Sequence, residues 1–572
     1  MSDTSNSGKE RRSVLSALAF FGDRRALVML ALGFSAGLPY LLVFDTLSAW
    51  LRVADLSIEV IGYFSLATIA SSLKFLWAPL IDRTNVPGLT KQLGHRRSWM
   101  LVAQAAIIFG LWLIAGSNPA ENLALVAVFA VLVGFSSATQ DIVIDAWRIE
   151  AAEQERQGMM AAAYQWGYRV AQIVAGALAL VLADAYGWAL SYTVMAALMG
   201  IGVVAVLLAP REQAHTIRAV LTEGVPRRQV LEAVEWLVRI VMLVLAALAL
   251  GLGLTGNGPF LGYVTAPLLG AETSAAFVSA FTAKPDGIWL QLLFVFTGFV
   301  LLVLAVLPLA RIKTWPGAYL SHLMGDPLRD FFKRYRGTAT LILALICVYR
   351  LAESVLNIMN PFYLDLGFSL TEIAEVRKLF GVVATLVGVL AGGVAIARFG
   401  LMRSLVVGAF AQPLSHVGFI WLATEGHHMP ALFVAIGLDN VASGFAGTCL
   451  IAYMSSLTSV GFTASQYALF SSLYSLLGKI IASQSGRIVE SSAQSAEAGG
   501  FFGALNGLFA RLPADAYTRA SDIGVSAPSL GTGYVVFFIY SALIGVAGVV
   551  LAIMVAAQGK GDPSGAPSEA PA

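Results

Sequence analysis

The sequence predicts an all-α membrane protein whose transmembrane helices fall into groups of six, two and six. The 572-residue chain is 58% hydrophobic and only 12% charged, with a mean hydropathy of +0.77, whereas soluble domains carry about 25% charged residues. A chain of this composition cannot hide its apolar surface from water, so we expect a lipid bilayer to surround it. The length of its apolar runs and the placement of its basic residues lead to the same class.

Fourteen apolar runs approach the length of about 20 residues that a helix needs to cross a bilayer. The predicted first bundle is 26–210, with spans near 26–50, 58–81, 98–116, 122–147, 158–184 and 187–209. Residues 211–337 are predicted as cytoplasmic connectors with two additional spans, about 240–256 and 287–310. The predicted second bundle is 338–556, with spans near 338–363, 371–397, 402–424, 429–457, 464–490 and 532–556.

Basic residues set the orientation, because Lys and Arg accumulate in the cytoplasmic connections of membrane proteins. Most of the 36 Lys and Arg residues fall in the tails and in alternate loops. Both termini are therefore predicted to be cytoplasmic. Residues 1–25 form a polar tail that lacks the features of a cleaved signal peptide, and residues 557–572, rich in Pro, Gly, Ser and Ala, are predicted to be disordered.

The additional helix pair is nearly uniformly apolar and carries no charge within its predicted spans. A helix that is apolar all round is suited to lipid or to another membrane surface. We therefore expect the pair to lie outside the twelve-helix core. Small residues spaced four apart, Gly33 with Gly37 and Gly388 with Gly392, are predicted to let helices approach closely.

Two loops in corresponding positions of the two halves carry a shared pattern. APLIDR (78–83) and GHRRSW (94–99) follow the second span, and GGVAIARFGLMR (392–403) follows the corresponding span of the second half. Both resemble the Gly-x-x-x-Asp-Arg-x-Gly-x-Arg-Arg loop of the major facilitator superfamily, with Ala78 for the glycine and Ala397 for the aspartate. The predicted gating residues in the first loop are Asp82, Arg83, Arg96 and Arg97. Orientation alone also requires basic loops, so each loop by itself is weak support.

Asp141 and Asp145 are the main candidates for proton coupling. They lie four residues apart at the end of an apolar run, SATQDIVIDAW, so both carboxylates are on one face of a helix. Ionisable residues inside a membrane usually face a cavity and handle ions or protons. Alternatively, Asp145 caps the helix or pairs with Arg148, and a neighbouring helix satisfies Asp141.

Five segments together resemble the AmpG family of anhydromuropeptide permeases. They are LGFSAGLPYLLVFDTLSAWL (32–51), KFLWAPLIDR (74–83), SATQDIVIDAW (137–147), GYRVAQIVAG (167–176) and TASQYALFSSLYSLLGK (463–479). The resemblance implies proton-driven import of N-acetylglucosaminyl-1,6-anhydro-N-acetylmuramyl peptides across the bacterial inner membrane, and no cofactor. Asp439 beside Asn440 resembles the acidic-Asn pair of the family's tenth helix. The additional helix pair, the long segment 491–531 and Asp45 depart from the family pattern and leave the substrate range open.

Further polar residues inside the predicted spans complete the candidate site. Glu353, Asp439 and Asp45 join the two aspartates as candidates for proton coupling. The stem-peptide carboxylates of the expected substrate match basic side chains, and sugars match polar and aromatic ones. The candidates for substrate binding are Lys74, Arg169, Arg350, Lys378, Lys479, Tyr40, Gln140, Tyr164, Gln165, Tyr168, Asn357, Asn440, Gln466 and Tyr474. Structural pairing is the alternative, for Arg350 with Glu353 and for Lys74 with Asp45 or Asp141.

Other functional classes fit the sequence less well. No HExxH motif, phosphate-binding glycine loop or nucleophile-base set indicates an enzyme. Two cysteines and six scattered histidines predict neither disulfides nor a metal site, and a net charge of +2 gives no reason to expect nucleic acid. The expected partners are a small-molecule substrate, protons and the bilayer, for a monomeric protein. The alternatives are a transporter of another bulky anionic metabolite such as acetyl-CoA, or a membrane sensor on the same scaffold.

Overall fold

The computed structural model describes residues 23–54, 69–153, 156–210, 225, 228–283, 286–306, 314–355, 358–369, 372–373, 375–482, 485–499, 501–510, 512–513 and 516–558. Asn357, residues 1–22 of the predicted N-terminal tail and residues 559–572 of the predicted C-terminal tail lie outside this description. So do the side chains of Asp45, Lys378 and Lys479.

The first half consists of helices broken by short irregular turns. The helices are α1 (Arg24–Leu41), α2 (Leu47–Val53), α3 (Ile69–Leu73), α4 (Ala78–Arg83), α5 (Leu89–Leu93), α6 (His95–Ala115), α7 (Leu123–Ala151), α8 (Gln157–Ile173), α9 (Ala179–Tyr186), α10 (Trp188–Leu198) and α11 (Gly200–Leu208). Single π turns, Leu42–Thr46 and Val174–Leu178, continue α1 and α8, and a 3₁₀ turn, Lys74–Leu76, follows α3. Pro39 lies inside α1 just before its π turn, where it removes a backbone hydrogen bond and favours the irregularity.

The connecting region and the second half follow the same plan. Their helices are α12 (Gln229–Thr255), α13 (Gly258–Leu269), α14 (Ala271–Thr282), α15 (Gly287–Val306), α16 (Trp315–Arg334), α17 (Ala339–Val348), α18 (Leu351–Val355), α19 (Met359–Asp365), α20 (Gly381–Phe399), α21 (Leu401–Glu425), α22 (Met429–Ser456), α23 (Thr463–Ala482), α24 (Ser485–Glu497) and α25 (Ala527–Ala557). A π turn, Glu375–Phe380, precedes α20. The 3₁₀ segments Phe501–Phe509 and Thr518–Ile523 lie between α24 and α25.

The all-helical membrane fold is confirmed in the part of the chain that the structure describes. Ten of its helices are long and apolar enough to span a bilayer, or eleven if the bent pair Trp315–Arg334 and Ala339–Glu353 is one span. The four other predicted spans, near 26–50, 58–81, 338–363 and 464–490, are interrupted. Two of the interruptions are the turns after α1 and α3, and the predicted span near 58–81 begins outside the described residues.

Glycine contacts bring helix backbones together in each half, as the sequence predicts. A Cβ atom at Gly33 of α1 would collide with the carbonyl oxygen of Tyr164 on α8. A Cβ atom at Gly388 of α20 would collide in the same way with the carbonyl oxygen of Val441 on α22. The predicted close approach is confirmed, and in the first half it holds Tyr164 and its neighbours on α8 against α1.

The additional pair, α12 and α15, packs mainly on itself. Leu250 of α12 and Val295 of α15 form a small cluster with Leu73 at the end of α3. The outward faces of the pair are strongly exposed, with Trp289 at 68% and Phe296 at 66%. These contacts support the expected position of the pair beside the twelve-helix core, facing lipid.

A buried ion pair anchors the start of this addition. α12 begins at Gln229, before the predicted span, and so includes Glu235 and Arg239. The Arg239 side chain is fully buried, donates from Nε to Glu235 Oε1 at 2.8 Å, and donates from Nη1 to the carbonyl oxygen of Ala305. Thr314 Oγ1 donates to the same carboxylate at 2.8 Å. The pair thus ties α12 to the end of α15 and to the start of the connector helix α16.

We expect Glu235→Ala to destabilise the folded protein by about 3–5 kcal/mol, because it leaves the buried Arg239 charge without its carboxylate. Thermal unfolding of the purified protein in detergent would measure the change as a lower Tm. Arg329→Ala is the matched control, since its ion pair with Asp326 has a 63% exposed arginine and exposed pairs contribute only about 0–1 kcal/mol. Equal stability of the two variants would contradict an anchoring role for Glu235.

Candidate functional site

Two carboxylates on α7 lie in different environments although they are one turn apart. Asp145 is paired: its Oδ1 lies 3.2 Å from Arg148 Nη2, and its Oδ2 lies 3.9 Å from Lys74 Nζ. Asp141 Oδ1 is buried and has no hydrogen-bond partner among the described residues. The pairing of Asp145 with Arg148 that the sequence left open is therefore present. Lys74 forms its ion pair with Asp145 and not with Asp141, a partner that the sequence suggested, so Asp141 is the carboxylate left available for another ligand.

A cavity of about 130 Å³ lies at Asp141. Aromatic and hydroxyl side chains, Tyr40, Tyr168, Ser71 and Ser137, share its wall with apolar ones. The rings of Tyr164 and Tyr168 lie side by side on α8, with centroids 5.9 Å apart. The cavity thus combines one carboxylate with flat aromatic faces and hydroxyl groups, which is the lining that recognition of a polar ring compound needs.

Gln140 lies beside Asp141 in sequence but points into the bundle. Its Oε1 accepts from Ser35 Oγ of α1 at 3.2 Å, and its Nε2 is buried without a partner among the described residues. This geometry makes Gln140 a contact between α7 and α1.

Charged residues of both halves meet near the middle of the molecule. Arg350 Nε donates to Glu353 Oε2 at 2.6 Å, and Ser443 Oγ donates to Glu353 Oε1 at 2.7 Å. Arg169 of α8, from the other half, donates to Gln172 Oε1 at 3.0 Å and lies within electrostatic range of both Glu353 and Arg350. The ion pair proposed from the i, i+3 spacing of Arg350 and Glu353 is therefore present, and it faces a second arginine.

Irregular turns of the backbone carry several of the candidate residues. Lys74 begins the 3₁₀ turn after α3, and Lys378 lies in the π turn before α20. Tyr40 directly precedes the π turn that includes Asp45. Such turns are frequent at functional sites because they re-aim side chains and leave backbone groups unpaired. A proline inside α1 is the one sequence signal for them.

Two other candidates, Gln165 and Asn440, form hydrogen bonds within the protein. Gln165 Nε2 donates to Thr448 Oγ1 of the second half at 2.8 Å. Asn440 Oδ1 accepts from Thr385 Oγ1 at 2.8 Å, which joins α22 to α20.

The amide of Gln466 bonds to the connector helix instead of lining the cavity. It accepts from Arg334 Nη2 at 3.0 Å and donates to Asp330 Oδ2 at 3.0 Å and to the carbonyl oxygen of Pro327 at 2.8 Å. In this conformation Gln466 has no group left for a substrate. Tyr474, further along the same helix, lies within electrostatic range of Arg350 and Tyr168.

Two of the predicted gating residues, Asp82 and Arg83, contact the second half. Asp82 accepts from Arg96 Nη2 at 2.8 Å, and it also accepts from the backbone N–H of Ser465 at 2.8 Å at the start of α23. Arg96 donates further to Glu150 Oε1 at 2.7 Å. A carboxylate is favoured at a helix N-terminus, where backbone N–H groups are unpaired.

The other two arginines of this loop have separate roles. Arg83 Nη2 lies 3.2 Å from Asp326 Oδ2 of the connector helix α16, and its guanidinium lies 5.5 Å from the ring centroid of Phe462. Arg97 donates to the carbonyl oxygens of Val206 and Leu207 at the end of α11. Arg83 thus joins the halves, and Arg97 acts within the first half.

Arg148 connects Asp145 of α7 to the contacts between the two halves. Its Nη1 donates to Ser455 Oγ of α22 at 2.9 Å, and its guanidinium lies 5.2 Å from the ring centroid of Tyr467 on α23. Nearby, the indole N–H of Trp166 donates to the carbonyl oxygen of Leu386 at 3.2 Å. Sequence reasoning missed Ser455, Tyr467 and Thr448 as contacts of the site, because a hydroxyl in an apolar run gives no signal of which helix it will face.

Sequence reasoning also missed His416 of α21. Its imidazole is fully buried, and its Nε2 lies 4.0 Å from Asp439 Oδ1. A histidine inside an apolar span was the available signal, since ionisable residues in membranes are rare.

Comparison with known proteins shows what the chain is similar to. A sequence profile described as the Major Facilitator Superfamily matches residues 87–283. The chain is 28% identical to "Putative transporter AmpG 4" of Rickettsia felis, over 82% of this chain and 91% of that protein. It is 29% identical to "Anhydromuropeptide permease" of Escherichia coli K12, over 81% of this chain and 74% of that protein.

The fold is similar to that of solved transporters. The proton:xylose symporter XylE superimposes with a TM-score of 0.52 over 93% of this chain and 95% of that chain, at 10% identity. Together with the apolar helices, these similarities place the chain among the multi-pass proteins of the bacterial inner membrane. The chain thus has the fold of the major facilitator superfamily, and over most of its length it is similar to AmpG-type permeases.

Proposed function

We propose that this protein imports peptidoglycan turnover products, N-acetylglucosaminyl-1,6-anhydro-N-acetylmuramic acid and its peptides, from the periplasm to the cytoplasm in symport with protons. The observation that carries the proposal is Asp141, whose buried Oδ1 has no hydrogen-bond partner among the described residues, in a cavity that Tyr40 and Tyr168 help to line. The name of the Escherichia coli relative supplies the substrate class.

Asp141 has the environment expected of a proton carrier. An unpaired carboxylate away from water is costly unless it binds a proton or a cation. Asp145 cannot replace it without losing contacts, because Arg148 and Lys74 already compensate its charge. Proton binding at Asp141 removes a charge from the cavity, which lowers the cost of moving the cavity between two solvent exposures.

Two charged side chains fit the anionic stem peptide. Arg169 and Arg350 offer guanidinium groups that bind carboxylates in two parallel hydrogen bonds. Arg350 already shares its charge with Glu353, whereas Arg169 donates to the neutral amide of Gln172. Arg169 is therefore the stronger candidate for the peptide carboxylate, and the tyrosines around Asp141 are candidates for the sugar rings.

The contacts between the halves support alternating access. Asp82 with Ser465, Arg148 with Ser455, and Arg83 with Asp326 all lie at the end of the bundle that carries the loop between the second and third spans. The positive-inside expectation assigns that end to the cytoplasm. Closure there fits a conformation that receives its substrate from the periplasm, with the site between the two halves as in other secondary transporters.

Asp141→Asn should abolish accumulation of the anhydro-disaccharide against its gradient, because the amide keeps the shape of the side chain but cannot exchange a proton. The measurement is uptake of radiolabelled disaccharide into membrane vesicles with and without an imposed pH gradient. Asp184→Asn, at an exposed aspartate of α9, is the control and should accumulate as the wild type does. Wild-type accumulation by Asp141→Asn would exclude a coupling role for this residue.

Arg169→Gln should weaken binding of a peptide-bearing muropeptide by roughly 10- to 150-fold, since a hydrogen bond to a charged group contributes about 1.5–3 kcal/mol. Binding of the peptide-free disaccharide should change much less. Isothermal titration of the purified protein with both ligands would measure the difference, and Arg336→Gln, at an exposed arginine after α16, is the control. Equal losses for both ligands would show that Arg169 has a structural role.

A further inference from the structure

A second group of titratable side chains lies inside the second bundle, outside the cavity at Asp141. His416 of α21, Asp439 of α22 and Ser541 of α25 meet there, so three transmembrane helices contribute to the group. The His416 side chain is fully buried, whereas 16% of the Asp439 side chain is exposed. One end of the group is therefore sealed within the bundle and the other reaches accessible space.

The hydrogen bonds of Ser541 decide which nitrogen of His416 carries its proton. Ser541 Oγ lies 2.9 Å from His416 Nδ1, and it donates to the carbonyl oxygen of Phe538 at 2.9 Å. A hydroxyl group has one proton to donate. We infer that this proton stays within α25, so that His416 Nδ1–H donates to Ser541 Oγ and the lone pair of the neutral ring lies on Nε2.

Nε2 and the Asp439 carboxylate then face each other as two acceptors. The two atoms are 4.0 Å apart, and Nε2 is buried with no hydrogen-bond partner among the described residues. Asp439 Oδ1 accepts from Ser415 Oγ at 3.0 Å and from Gln412 Nε2 at 3.4 Å, both on α21. Ser415 and Gln412 thus hold the carboxylate in place. One proton bound between Nε2 and Oδ1 would join the two acceptors.

We propose that His416 and Asp439 form a second proton-binding site, in which a single proton is held between Nε2 and Oδ1. The inference deepens the proposed proton symport and rests on it for its role in transport. The proton enters from solvent at the exposed side of Asp439, and no bond other than the one to this proton forms or breaks. Binding draws Nε2 and Oδ1 together from 4.0 Å to hydrogen-bonding distance and so joins α21 to α22 by an ionic hydrogen bond.

The charges around the site connect it to the centre of the molecule. Glu353 of α18 acts on both His416 and Asp439, and Arg350 and Arg377 act on Asp439. Tyr363 of α19 also faces Asp439. The Arg350–Glu353 pair is thus shared between this site and the surroundings of Arg169, so a proton bound at His416 and Asp439 changes the field at the proposed substrate carboxylate site.

The test is nitrogen NMR of the intact protein, labelled with ¹⁵N-histidine and reconstituted in nanodiscs, without any substrate. The chain has six histidines, and His416→Gln identifies the His416 signals by their loss. At pH 8 we expect the Nδ1–H tautomer for His416. Protonation of Nε2 should follow as the pH is lowered to about 5, the range in which histidine changes charge.

Asp439→Asn should remove this protonation over the same pH range, because a buried imidazolium without its carboxylate is strongly disfavoured. The control is Glu372→Gln, which alters the half-exposed His427–Glu372 pair, 3.2 Å apart, and should leave the His416 signals unchanged. An Nε2–H tautomer at pH 8, or an unchanged titration of His416 in Asp439→Asn, would overturn the proposal. Because the readout needs no muropeptide, a protein that fails to transport one would leave this result standing.

Discussion

The bilayer interior cannot solvate charge, and the structure is organised around that constraint. Most of the charges described inside the protein are neutralised by a partner from another element of the chain. Arg96 lies between Asp82 and Glu150, and Arg239 lies against Glu235 and a backbone carbonyl. Such pairs contribute little net stability, but breaking one leaves a charge whose burial is expensive. Asp141 and the facing acceptors of His416 and Asp439 do not follow this pattern among the described residues, and they are the groups for which we propose proton binding.

Charged side chains of the first half also take part in the contacts between the two halves. Arg148 carries a contact with Asp145 on its own helix and a contact with Ser455 across the halves. A loss of negative charge at Asp145 would weaken its ion pair with Arg148. The contact between Arg148 and Ser455 would then change its geometry as well. Asp82 has the same double role, since it pairs with Arg96 and accepts from the N-terminus of α23. Charged side chains of the first half thus contact helix ends of the second half directly.

Close packing and irregular turns position the site together. Gly33 allows α1 to touch α8 along their backbones, and α8 carries Tyr164 and Tyr168 within electrostatic range of Asp141. The turns at Lys74 and after Tyr40 interrupt the regular hydrogen bonding of their spans. Regular helices therefore carry most of the cavity wall, including Asp141 and Tyr168, and the π turn after α1 adds Val43.

The sequence by itself determined the class of the fold, the family, and the close helix pairs at Gly33 and Gly388, because composition, hydropathy and small-residue spacing act locally along the chain. It also singled out Asp141 and Asp145, since a carboxylate in an apolar run is recognisable without knowing its neighbours.

Only the tertiary structure decided which of the two aspartates is paired, that Gln466 bonds to the connector helix, and that His416 faces Asp439. Those outcomes depend on contacts between residues far apart in the chain, such as Lys74 with Asp145 and Arg334 with Gln466. Helix periodicity gives the face on which a residue lies but not the helix that the face meets. The partner of a buried polar group is therefore set by the packing of the whole bundle.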